Sequence, residues 1–113
     1  MAITQAMATS FKVELMTATH NFTNTTGNAF NIALFRATAS IVGTFGAATT
    51  NYSDMGADEA SGTNYTAGGQ ALANVTPTSS GTTAYTDFAD EVFTNVTITT
   101  SGALIYNDTN ANR

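Results

Sequence analysis

Residues 29–37 read AFNIALFRA. Phe30, Ile32 and Leu34 recur at every second position, with Asn31, Ala33 and Phe35 between them. A period of two places alternate side chains on opposite faces of an extended chain, so this stretch is a strand. The residues before it, Asn21 to Asn28, are polar and include Gly27, which marks a break. Upstream of the break the period changes. Ala6, Met7, Phe11, Leu15, Ala18 and Phe22 recur mostly at steps of three and four, which predicts a helix over 5–22 with those residues near one face. Thr9 or Ser10 offers a cap for a shorter helix beginning at Phe11.

Downstream, the pattern stays with short strands. Gly68 and Gly69 form a dipeptide that permits positive φ in a tight hairpin between Tyr65-Thr66 and Leu72-Val75. Pro77 ends that run or marks it as an edge. A turn over 79–83 leads into residues 84–100, where Val96 and Ile98 alternate with Asn95, Thr97 and Thr99. The run Ala103-Leu104-Ile105-Tyr106 is short and continuously apolar, as expected of a central strand covered on both faces. Residues 44–60 read as a long loop or short strands punctuated by Gly46 and Gly56. The expectation is a mainly β (α+β) single domain over 1–113. It comprises an N-terminal helix at 5–22, an antiparallel β-sandwich or open barrel of about six strands at 29–107, and a tail at 108–113.

Composition supports strands and restricts function. Threonine supplies 23 of 113 residues, and its branched side chain suits a pleated surface. Only 10% of residues are charged, against about 25% in an ordinary domain. The net charge is −5, and the basic residues are Lys12, Arg36 and Arg113. Three cations cannot neutralise a row of phosphates or hold an anionic membrane surface, so nucleic acid and membrane are not expected partners. There is no cysteine, which excludes disulfides and thiolate metal sites. The N-terminus has no basic region followed by an apolar run, so a signal peptide is not expected.

The chemistry-bearing residues are few. His20 is the only histidine and falls at the expected helix end, where it would meet the last carbonyls and the negative end of the dipole. No G-x-S-x-G elbow is present. Asp87, Asp90 and Glu91 are the candidate oxygen ligands for a hard cation, although their spacing is not that of an EF-hand. Asp54, Asp58 and Glu59 form a second loose acidic cluster. The glycines of SGTNYTAGGQAL (61–72) are followed by Gln70 rather than lysine, so a phosphate-binding loop fails on residue type and spacing. Seven Asn-x-Ser/Thr triplets occur, beginning at Asn21, Asn24, Asn51, Asn64, Asn74, Asn95 and Asn107. A chain this rich in Asn and Thr generates them by composition. Tyr52, Tyr65 and Tyr85 could serve as sugar platforms in a carbohydrate-binding module. No pair of residues places a base beside a nucleophile, so catalysis and a bound cofactor are not expected.

Five blocks occur in order: SFKVELMTATHNFT (10–23), NAFNIALFRATAS (28–40), EASGTNYTAGGQALANVTPT (59–78), TAYTDFAD (83–90) and GALIYND (102–108). The set resembles a family of small virion structural proteins from tailed bacteriophages and prophages, and the resemblance spans nearly the whole chain. It implies a head decoration or cement protein located in the virion and assembled in a bacterial cytoplasm. A tail or head–tail connector component is the alternative setting. The implied partner is the major capsid protein, with self-association as a homo-oligomer, a trimer being favoured. The partly apolar segment 1–7, with Ile3 and Met7, is the expected docking arm.

Overall fold

The structure is a computed structural model that describes residues 5–36 and 45–113. Its elements run α1 (Thr9–Met16), β1 (Phe30–Phe35), a 3₁₀ segment (Tyr52–Asp58), β2 (Gln70–Leu72), β3 (Asn74–Ser80), β4 (Thr83–Phe88) and β5 (Gly102–Asn107). Among the described residues, five strands form two antiparallel sheets: a three-stranded sheet in the order β2-β1-β5, and the β3–β4 hairpin. The mainly β, α+β class with an N-terminal helix is as expected.

The alternation of β1 organises the larger sheet. Phe30, Ile32 and Leu34 pair with Asn107, Ile105 and Ala103 of β5, while Asn31, Ala33 and Phe35 pair with Tyr106, Leu104 and Gly102. The second set faces the main core, where Ala33, Phe35, Met55 and Tyr106 are buried with Phe45, Tyr52 and Leu104 against them. Irregular chain and the 3₁₀ segment supply that cover. On the opposite face, Phe30 is buried beneath Phe22, whose ring stacks on it at 4.5 Å, and beside Phe88 at 5.5 Å. Phe88 stands with the part-buried Asn74 at the root of the β3–β4 hairpin, the rest of which is exposed.

Four local expectations change. The helix covers eight residues rather than 5–22 and buries none of them. It stops because Ala18 turns left-handed (φ 59°), with Thr19 N–H donating to the Glu14 carbonyl and Ala18 N–H to that of Leu15. Those two bonds are a Schellman termination with alanine where glycine is usual. Phe11 and Phe22 still meet, at 6.2 Å, because the chain folds back between them.

Gly68 and Gly69 have positive φ (94° and 79°), but they close a turn onto Thr66 that enters β2 rather than joining two strands. The true two-residue hairpin lies at Gly81-Thr82, inside the turn placed at 79–83. The alternating run about Val96 forms only an isolated bridge between Thr97 and Thr63. Lastly, β5 is an edge strand, and Ile105 is 49% exposed. A short apolar run is compatible with a central strand, but only tertiary pairing assigns its neighbours.

Candidate functional site

The outer edge of β5 opens into a groove of about 740 Å³. Phe11, Phe22, Phe30 and Phe88 line it on one side of the sheet. Phe35, Phe45 and Tyr52 line it on the other, and Ala103 to Asn107 run along its floor. The groove therefore straddles a strand edge and has aromatic walls on both faces. Phe35 and Phe45 meet edge-on at 4.7 Å. Arg113 is the one charged residue among the described lining. Met7 lines the mouth and is 51% exposed. Ile3 lies outside the described residues.

A buried polar cluster closes one end. His20 Nε2 lies 2.7 Å from Glu14 Oε2, and His20 Nδ1 lies 2.8 Å from Asn107 Nδ2. Asn107 Nδ2 also donates to Asn28 Oδ1, and the Asn110 N–H donates to Asn107 Oδ1. The Asn107 N–H donates to the Arg113 carbonyl, so the tail folds back over this end of the edge. His20 lies beyond the helix end, contrary to expectation, and its side chain is wholly buried with both ring nitrogens engaged.

A second cluster surrounds Glu59. Its Oε1 accepts from the Tyr65 hydroxyl (2.9 Å) and the Gly68 N–H (2.7 Å), and its Oε2 accepts from the Tyr52 hydroxyl. The Tyr106 hydroxyl donates to the Gly68 carbonyl at 2.7 Å. Burial, reinforced by the bond to Glu59, pushes the Tyr65 phenol up to about 12. The same causes raise Tyr52, and burial raises Tyr106. Tyr52 also stacks on Tyr106 at 4.7 Å. Two of the three proposed sugar platforms are thus spent inside the molecule, and only Tyr85 stands out, 50% exposed.

Among the described residues, no three His, Asp or Glu side chains converge where they could hold a metal ion. Asp87 Oδ1 accepts from the N–H of Phe88, and Asp90 and Glu91 follow in exposed chain beyond β4. The 54–59 cluster is divided. Asp54 accepts from Thr50 and Asn51, and those backbone N–H groups hold its carboxyl below its usual range, whereas Glu59 belongs to the tyrosine cluster. Sequence reasoning put Phe11 and Phe22 near one face but missed that Phe30 and Phe88 join them, because residues so far apart in the chain are brought together only by tertiary packing. It also missed the Glu59 cluster, for which no spacing signal exists.

Comparison with protein-family models, with curated proteins and with solved structures found no match.

Proposed function

We propose that this chain is a non-enzymatic structural protein of a tailed-phage virion, a head decoration protein that bridges neighbouring copies of the major capsid protein. The observation that carries the reading is the pairing of an aromatic, almost charge-free groove with an exposed hairpin that has no charge between Asn74 and Thr86. Interface centres are depleted of charge in the same way, because desolvating hydroxyls and apolar groups costs less than desolvating ions. The ordered sequence blocks supply the virion setting. The locked state of His20 supports a role without catalysis.

In this reading, Met7 stands at the groove mouth as part of the 1–7 arm that docks on a neighbouring capsid subunit. Many copies then act together, so contacts that are individually modest become strong. The test is the copy number and position of the chain in purified particles, with the heat resistance of particles lacking it. Hundreds of copies over the shell, and particles that burst at lower temperature without it, are expected. A few copies near the portal would move the chain to the connector. Undiminished heat resistance would remove the cementing role.

A further inference from the structure

The two sheets present four outer edges, and they are not equally guarded. β2 is only three residues long. β3 carries Pro77, has a bulge between Val75 and Thr78, and is approached from outside by Asn24, whose N–H donates to Thr76 Oγ1. Short length, proline and bulges are the devices that keep an edge from pairing. β4 and β5 have none of these over six residues each.

Ladder alternation identifies which groups point outward on those two edges. The Ala89 N–H donates to the Ala73 carbonyl, and Ser80 pairs with Thr83 across the turn, so Ala84, Thr86 and Phe88 direct their backbone groups away from β3. The Phe88 N–H is taken by Asp87. On β5, the Asp108 N–H donates to the Ala29 carbonyl, so Ala103, Ile105 and Asn107 face outward, and the Asn107 N–H is taken by Arg113. Each edge therefore retains two outward N–H groups two residues apart, Ala84 and Thr86 on one and Ala103 and Ile105 on the other. Among the described residues nothing bonds to them.

We infer that a second copy of this chain supplies the missing neighbour: β4 of one copy pairs with β5 of another and seats its hairpin in the groove. The occupant is matched by length, by the two free N–H groups on each edge and by a hairpin that carries no charge from Asn74 to Thr86, Asp87 standing at its root. A thin two-stranded ribbon suits a groove walled on both faces, and an isolated hairpin is itself marginal in water until another surface covers it. The hairpin root, Thr86 and Phe88, already lines the groove rim, so the two surfaces adjoin on each copy. The contact joins two different patches, so copies close either reciprocally about a two-fold axis or head to tail in a small ring.

This inference does not rest on the virion reading. It concerns the free protein, whereas that reading is tested by copy number in particles, so either can fail alone. Light scattering coupled to size-exclusion chromatography on the full chain should give a discrete multiple of 11.7 kDa. Thr86→Pro and Ile105→Pro each remove one outward N–H while sparing the internal ladders, and each should yield monomers that keep the β-type circular dichroism. Amide hydrogen exchange on the unaltered chain provides a readout that needs no variant. Ala84, Thr86, Ala103 and Ile105 should exchange about tenfold more slowly in concentrated than in dilute samples. A chain that remains monomeric up to about 1 mM overturns the inference. So does an oligomer lost with only one of two folded variants, or one whose formation leaves those four amides unprotected.

Discussion

Asn107 Nδ2 donates to His20 Nδ1 over 2.8 Å and 87 residues of chain. The amide cannot be turned round, because the Asn110 N–H donates to its oxygen. Nδ1 is therefore the acceptor, and the ring proton sits on Nε2, facing Glu14.

That bond predicts a tautomer and a cost. Nitrogen-15 NMR of the folded chain should show His20 as the Nε2–H form. His20→Ala strips partners from Asn107 and Glu14 in a buried place and should lower unfolding stability by about 3 kcal/mol in urea titrations. Equal loss in His20→Ala and in the His20→Ala, Asn107→Ala double variant is expected to within about 1 kcal/mol, since the two act as one unit.

The tyrosines predict an alkaline limit. Tyr65 ionises at about 12 in the folded chain against 10.0 for a free phenol, so the unfolded chain loses that proton first as pH rises. The stabilisation is fully present below pH 10 and disappears as pH climbs through about 12. Carbon-13 NMR of the ring carbons should show Tyr52, Tyr65 and Tyr106 all titrating above the ordinary value. Glu59→Gln should bring Tyr52 and Tyr65 only part of the way down, because burial is the larger cause.

Two glycines separate strain from collision. Gly81 has φ 59° with open space around it, so Gly81→Ala should cost about 1 kcal/mol of backbone strain alone. At Gly69 (φ 79°) a methyl group would strike the Ile32 carbonyl oxygen in β1. Gly69→Ala should therefore cost about 3 kcal/mol or more and displace β2 from β1, visible as loss of amide protection at Ile32.

Ala18 is the opposite case, an L-residue held left-handed at the end of α1. Ala18→Gly removes about 1 to 2 kcal/mol of strain and adds less than that in unfolded-chain entropy. A gain of about 0.5 kcal/mol in denaturant midpoint analysis is expected. Ala18→Val should lose stability instead.

Local chemistry determined a good part of this protein. The two-residue period of AFNIALFRA made β1 a strand, the threonine-rich, low-charge composition made the chain mainly β, and Gly68-Gly69 had to turn with positive φ. Tertiary structure alone decided the rest. An αL stop needs no glycine when the Schellman bonds are made, so the end of α1 at Met16 left no mark in the sequence. GALIYN reads the same whether one strand or two flank it, and among the described residues β5 pairs with β1 alone. The aromatic walls of the groove come from six separate segments, and the His20 and Glu59 clusters join residues with no shared spacing. Periodicity reports which face of an element is apolar. Which elements then meet depends on long-range contacts that no local pattern encodes.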